Sequence, residues 1–129
     1  PGQLVGYPLV NLNYYKKSIT WFMRSLEQVI INTLKEFELS GDRKDGYPGV
    51  WIDDSKICAM GVRISRWVTM HGFAININPD MKYFNGMIPC GLLSHGVTSL
   101  KEQIGKNVTN KVLISKFMKN FNQLFKRLN

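Results

Sequence analysis

The sequence contains only two cysteines, and it has no apolar run of the ~18 residues that a membrane-spanning helix needs. Two cysteines are too few for the disulfide framework of a small secreted domain, and neither Cys58 nor Cys90 has a cysteine or histidine partner at the spacing of a zinc site. The chain begins with Pro1 and lacks the basic segment and apolar run of a signal peptide. We therefore expect a cytoplasmic protein without a bound metal, truncated or processed before Pro1.

Motifs that bind nucleotides or catalytic metals are absent as well. There is no Walker loop, no GxGxxG and no HExxH, and no pair of carboxylates at a spacing that suggests acid–base catalysis. These absences predict that any chemistry is nucleophilic and needs no cofactor.

The composition is that of one globular domain. Hydrophobic residues make up 44% of the 129 residues and charged residues 20%, a balance that supports a single core. The net charge is +8, and the excess lies in the second half, where Glu102 is the one acid after Met81. Such a charge attracts nucleic acid, an anionic membrane or an acidic protein, but a solvated helix face explains it equally well.

Two amphipathic helices are predicted from apolar residues at steps of three and four. The first runs from Ile19 to Phe37, with Ser18 as N-cap and Gly41 as the stop. The second covers Leu113 to Leu128, with Thr109 or Asn110 as the cap and most lysines on its polar side.

Strand patterns occupy the remainder of the chain. They predict strands from Gln3 to Leu12, bent near Pro8, then a meander whose later strands are apolar on both faces and therefore covered on both sides. The predicted meander strands are Val50 to Asp53, Lys56 to Ser65 and Val68 to Asn78, and the predicted loops are Gly41 to Gly49 and Ile88 to Leu100. The fold class is α/β (α+β), with a sheet covered by amphipathic helices.

Cys90 is the candidate nucleophile. Pro89 fixes the backbone on one side, while Gly91 allows close approach of a ligand and leaves its amide able to bind an oxyanion. Cys58 lies within an alternating apolar strand, where a free cysteine usually behaves as a small buried hydrophobic residue.

Lys56 is the candidate that could activate a thiol. Strict alternation along the strand would place it on the same face as Cys58 and Met60, with its stem along apolar surface. An ammonium near a cysteine lowers the thiol pKa, and a desolvated lysine can act as a base. An edge lysine that reaches solvent is the simpler alternative. His71 is a second possible base, although a strand histidine is more often structural, and His95 has only glycine-rich neighbours.

Six strings along the chain carry a family resemblance. They are PGQLVGYP at 1–8, GVWI at 49–52, KICAMGVR at 56–63, RWVTMHGFAIN at 66–76, PCG at 89–91 and GVTSL at 96–100. In this order, and over nearly the whole chain, they resemble the lipoyl(octanoyl) transferases, also called the lipoate-protein ligase B family.

The resemblance implies a mixed sheet like that of the biotin and lipoate ligase catalytic domain, with residues 1–129 as a single catalytic domain that lacks its N-terminal part. The missing part would carry the family's Arg-Gly-Gly string, which helps line the acyl pocket. The implied reaction moves octanoyl from acyl carrier protein to a lysine of a lipoyl domain, in 2-oxoacid dehydrogenase complexes or the glycine cleavage H protein, without nucleic acid or membrane.

Residue roles are carried over from the same resemblance. Cys90 is similar to the family's acyl-thioester nucleophile, and Lys56 to the residue that lowers its pKa and then acts as base. The family's acyl-binding strings match Ala59, Met60, Gly61, Gly72, Phe73 and Ala74, with His71 beside them.

Three alternatives stay open at this point. An ATP-dependent lipoate or biotin ligase of the same fold would need no cysteine nucleophile, so Cys90 and Lys56 speak against it. A nucleic-acid-binding module would lose affinity steeply with salt, and its aromatics would interleave with lysines instead of forming helix stripes. A non-catalytic remnant would bind acyl carrier protein without accepting its acyl group.

Overall fold

The computed structural model of the chain describes residues 2–79 and 96–126. In chain order the elements are β1 (Gln3–Gly6), a 3-10 turn (Leu12–Tyr14), α1 (Ile19–Lys35), β2 (Asp42–Lys44), β3 (Tyr47–Ile52), β4 (Ser55–Ser65), β5 (Val68–Asn76), β6 (Gly96–Val97), α2 (Leu100–Ile104) and α3 (Asn110–Leu124). No helix of these described residues is both long enough and apolar enough to cross a membrane.

Helix α1 forms where the apolar stripe predicts it. The Ser18 hydroxyl accepts a hydrogen bond from the backbone N–H of Trp21 at 3.1 Å, which satisfies one of the free donors of the first turn. Phe22, Leu26 and Val29 on the stripe are fully buried. The helix ends at Lys35, before the predicted Phe37, because the chain reverses at Glu38, whose φ of 62° is left-handed.

The strands form one mixed sheet, as predicted. Antiparallel strands lie in the order β1-β5-β4-β3-β2, and β6 pairs in parallel with the start of β4. Strand β6 therefore lies beside Ser55 and Lys56, beyond the end of β5.

Both predicted loops contain strands, and β1 is shorter than predicted. In the predicted loop from Ile88 to Leu100, the described part includes β6 at Gly96–Val97, which forms by pairing with β4. Gly41 to Gly49 was expected as a loop but contains β2 and the start of β3, paired at Lys44 and Tyr47. This hairpin depends on tertiary contacts, because Arg43 bonds the carboxylate of Glu27 and the side-chain oxygen of Gln28 on α1. Strand β1 ends at Gly6 instead of Leu12, because Pro8 has no N–H to donate to a strand ladder.

The two faces of the sheet differ. Helices α1 and α3 cover the core face, where Cys58, Ile75 and Phe73 lie in the hydrophobic core. The ring of Phe73 packs 4.8 Å from that of Phe117 on α3, whose N-cap is Thr109. We call the other side the open face. Ala59 and Gly61 are exposed there, so within the described residues the prediction that β4 and β5 are covered on both sides is wrong at these positions.

Candidate active site

A β-bulge at Ile57 decides where Lys56 lies. Val50 pairs with Cys58, but the next residue, Trp51, pairs with Lys56, so Ile57 is an extra residue on β4. Residues directly opposite each other on antiparallel strands share a face, and neighbours along a strand alternate. Lys56 therefore lies on the open face with Trp51, and the prediction that it shares a face with Cys58 and Met60 is wrong.

The surroundings of Lys56 are crowded by β3. Its ammonium lies 5.2 Å from the centre of the Trp51 ring, and Trp51 itself is fully buried. A Cβ at Gly49 would lie 2.8 Å from Cε of Lys56 and 2.6 Å from the carbonyl oxygen of Cys58. Only glycine fits there, and its φ of +146° is also one that other residues avoid.

Strand β6 holds the other side of Lys56. Val97 pairs with Lys56 in parallel, and the backbone N–H of Thr98 donates to the Lys56 carbonyl at 2.9 Å. The backbone of Lys56 is thus fixed between β3 and β6, so its side chain emerges from a defined point of the open face.

A groove of about 230 Å³ runs along the open face beside these strands. Its floor consists of two cross-strand pairs of small residues, Ala59 with Ala74 and Gly61 with Gly72. Val5 on β1 and Tyr7, which follows β1, also border the groove. Met60 and Phe73, which were predicted with the small residues, also border the groove, but they alternate with them and direct their side chains to the core face.

The two glycines of the floor have different reasons to be glycine. Nothing lies within 4 Å of a Cβ built at Gly61, so that position opens onto the groove. A Cβ at Gly72 would lie 2.0 Å from the carbonyl oxygen of Gly6 on β1. Gly72 is therefore required by the close approach of two strands, and Gly61 leaves space in the groove.

Cys58 has the properties of an inert core thiol. It is fully buried and its Sγ donates weakly to the carbonyl oxygen of Ala59 at 3.6 Å. Burial raises the pKa of the Cys58 thiol far above its ordinary value, and the nearby Lys56 charge offsets only part of that shift. Cys58 is thus neutral at physiological pH and shielded from reagents.

For several residues of the predicted site, the side chain lies outside the part of the chain that the structure describes. Cys90, the candidate nucleophile, and His95 fall outside the described residues. His71 lies on β5 opposite Val62, but its side chain is outside the described part. Among residues 2–79 and 96–126, no group of His, Cys, Asp and Glu side chains could hold a metal ion.

Sequence reasoning missed the role of Glu27. It lies on the buried side of α1, where a carboxylate needs partners, and its Oε2 accepts the backbone N–H of Gly49 at 3.1 Å. Trp51 and Tyr7 were missed as well. The pattern Gly49-Val50-Trp51 could have indicated that Gly49 and Trp51 share one face, because alternate strand residues do.

Comparison with known proteins shows the family to which the chain belongs. The family model for the lipoyl protein ligase A/B catalytic domain matches residues 1–122. The chain belongs to this family. Its fold is that of the biotin protein ligase from Aquifex aeolicus, with a TM-score of 0.74 at 22% identity over 95% of this chain and 52% of that one.

More similar relatives are proteins named octanoyltransferase. The one from Christiangramia forsetii is 47% identical over 97% of this chain and 56% of its own length. The one from Nostoc punctiforme is 50% identical over 81% of this chain and 45% of its own length. The chain thus spans about half the length of the curated relatives it matches.

Proposed function

We propose that the protein is an octanoyltransferase, which moves octanoyl from acyl carrier protein to a lysine of a lipoyl domain through a thioester on Cys90. The relatives named octanoyltransferase, at 47% and 50% identity, support this activity. The alternative of an ATP-dependent ligase shares the A/B family model and the fold, but the biotin protein ligase structure is only 22% identical.

The observation that carries the proposal is the parallel pairing of Val97 with Lys56. Cys90 precedes Val97 by seven residues in the sequence. The segment that follows the candidate nucleophile therefore joins the sheet beside the candidate base. Lys56 faces the open side, which also carries the groove of Ala59 and Gly61.

In the first half-reaction the thiolate of Cys90 attacks the carbonyl carbon of the octanoyl thioester. The bond from that carbon to the sulfur of the carrier breaks, and the carrier thiolate takes a proton from the Lys56 ammonium. A positive charge beside Cys90 favours its thiolate before the attack. Octanoyl then remains on Cys90, and Lys56 is a neutral amine.

In the second half-reaction the amine of the acceptor lysine attacks the Cys90 thioester. An amide bond forms, Cys90 leaves as thiolate, and the neutral Lys56 amine takes the proton that the acceptor nitrogen loses. One thioester is exchanged for another and then converted to a more stable amide, so the cycle needs no nucleotide.

The groove of the open face is the proposed acyl site. Its small residues, Ala59, Gly61, Gly72 and Ala74, leave a slot for a linear alkyl chain, and apolar contact with Val5 would remove that chain from water. The backbones of Met60 and Phe73 border the same slot, and His71 is proposed to act beside it.

The proposed partners are octanoyl-acyl carrier protein, the lipoyl domains of 2-oxoacid dehydrogenase complexes and the glycine cleavage H protein, all in the cytoplasm. Such carriers are typically acidic, and the net charge of +8 suits an acidic partner.

The test measures acyl transfer in the 129-residue chain and in a chimera where it replaces the matching segment of the Christiangramia forsetii octanoyltransferase. After incubation with octanoyl-acyl carrier protein, we expect a mass increase of one octanoyl group on the Cys90 peptide, and transfer to a lipoyl domain without ATP. In the chimera, Lys56→Arg should keep acyl loading, because its charge still favours the Cys90 thiolate and the carrier thiolate can be protonated by solvent. It should lose transfer, because a guanidinium that stays protonated cannot take the proton that the acceptor nitrogen loses. Label on Cys58, or transfer that requires ATP, would contradict the proposal.

A further inference from the structure

Trp51 is a fully buried aromatic residue on the open side of the sheet. It lies directly across from Lys56 on the neighbouring strand, and the ammonium of Lys56 is 5.2 Å from its ring centre. A ring face carries partial negative charge and attracts a cation at this distance. The contact is therefore an attraction between the Trp51 ring and the proposed base.

The aliphatic part of the Lys56 side chain is also held in place by its neighbours. Gly49 and Trp51 are alternate residues of β3 and share a face, and Cε of Lys56 occupies the space that a side chain at Gly49 would fill. Gly49 is held in turn by its N–H donating to Glu27, whose other oxygen accepts from Arg43. Four residues from α1, β2 and β3 thus determine where the Lys56 side chain can lie.

Packing alone does not explain a tryptophan at this position. Trp51 is outside the hydrophobic core cluster that fills the core face. Its indole N–H is buried and has no hydrogen-bond partner among the described residues, which costs stability that a phenylalanine would not. What Trp51 supplies within the described structure is the face of its ring, and the group on that face is Lys56.

We propose that Trp51 is a positioning residue, whose ring holds the Lys56 ammonium on the same face of the sheet as the acyl groove, in the position that proton transfer requires. The inference rests on the proposed function only where it predicts an effect on the rate of octanoyl transfer. The position of Lys56 over the ring is a property of the protein without substrate, so it can be measured independently.

The direct test is the NMR spectrum of the 129-residue chain labelled with ¹³C at Cε of lysine. The Lys56 signal is identified by its loss in Lys56→Arg. We expect its Hε protons upfield of those of exposed lysines, because they lie over an aromatic ring. Trp51→Phe should keep part of this shift, and Trp51→Leu should remove it. Lys116, whose ammonium lies 5.5 Å from the Phe37 ring, is the internal control and should not change.

The kinetic test uses the chimera with the same two substitutions. Trp51→Leu should slow transfer from the acyl-enzyme by about threefold to thirtyfold, with the KM for octanoyl-acyl carrier protein unchanged. Trp51→Phe should transfer octanoyl at a rate close to that of the unaltered chimera, since phenylalanine keeps a ring face. A general folding defect would instead lower the unfolding midpoint of both variants, and the phenylalanine would not relieve it.

The outcomes separate the two proposals. If the wild-type Lys56 signal lies with those of exposed lysines, Trp51 does not position Lys56, whether or not the variants fold. The inference is also overturned if Trp51→Leu folds and transfers at the unaltered rate. If the unaltered chimera transfers no octanoyl while the Lys56 signal is shifted and ring-dependent, the positioning stands and the proposed reaction fails.

Discussion

The carboxylate of Glu27 accepts the backbone N–H of Gly49 at 3.1 Å, which connects the middle of α1 to β3. Its other oxygen accepts from Arg43 Nε at 3.2 Å, and the Glu27 side chain is only 4% exposed. One buried carboxylate therefore holds both strands of the β2–β3 hairpin against the helix.

Glu27→Gln should destabilise the protein by about 1–3 kcal/mol, because a buried amide replaces a charged acceptor and can satisfy fewer of its partners. The free energy of unfolding in denaturant measures the loss. Glu38→Gln, at an exposed position, is the control and should change it by less than about 0.5 kcal/mol. Equal unfolding midpoints for Glu27→Gln and the wild type would show that the carboxylate does not hold the hairpin.

Side chains added at Gly61 and Gly72 should affect the stability of the protein differently. Gly61→Val should change stability by less than about 0.5 kcal/mol, since the space is open and valine favours strands. It should nevertheless weaken octanoyl-pantetheine binding, because it fills the groove. Gly72→Ala should cost about 1–3 kcal/mol, because its Cβ meets the Gly6 carbonyl.

Thermal unfolding and calorimetric titration with octanoyl-pantetheine measure both effects. Unchanged octanoyl affinity in a folded Gly61→Val variant would place the acyl chain elsewhere than this groove.

Cys58 should resist alkylation in the folded protein. Burial raises the pKa of its thiol, so at pH 8 almost none is thiolate, and the reagent cannot reach it. Iodoacetamide should modify the Cys58 peptide at least about 100-fold more slowly than in urea. Cys58→Ala in the chimera should load octanoyl normally. Equal labelling rates with and without urea would mean that Cys58 is accessible.

Glu36 should contribute to the loss of stability in acid. A hydrogen bond from Asn120, and a second from Lys119, lower the pKa of Glu36 from its ordinary 4.5. A group whose pKa is lower in the folded state stabilises the protein above its unfolded pKa, and that stability is lost as pH falls through the folded value. Glu36→Gln should therefore be less stable at pH 7.

The check compares unfolding free energies at pH 7 and pH 3. The difference between the two should be smaller in Glu36→Gln than in the wild type, with Glu38→Gln as the exposed control. If Glu36→Gln and the wild type lose the same stability between these pH values, the carboxylate is not coupled to Asn120 and Lys119.

The parts of the fold predicted correctly are those with strong local signals. The Ile19 stripe with Ser18 at its start defines α1, and Asp53 in a tight turn separates β3 from β4. Local signals failed for β2, whose polar sequence forms a strand only because Arg43 reaches Glu27 across the structure. Such a contact joins residues far apart in the chain and leaves no periodic pattern.

The sequence predicted which residues form the groove, but it did not predict on which face of the sheet Lys56 lies. The small residues Ala59, Gly61, Gly72 and Ala74 come together, and strand alternation explains why. The face of Lys56 could not be predicted, because nothing in Lys56-Ile57-Cys58 marks Ile57 as the extra residue of a bulge. The role of Cys90 stays a prediction, since it lies outside the described residues.

The bulge lets Lys56 and Cys58 lie on opposite faces although one residue separates them in the sequence. In a regular strand two residues separated by one share a face, yet here one carries a charge on the open face and the other fills the core. Deleting Ile57 would make Lys56 and Cys58 neighbours, and neighbours in a regular strand also lie on opposite faces. The pairs of Val50 with Cys58 and of Trp51 with Lys56 are compatible with that shorter strand, and what the deletion removes is a core side chain. A related sequence with a single-residue gap at this point can therefore keep the lysine on the open face, so the spacing of the two residues does not by itself identify the face of the lysine.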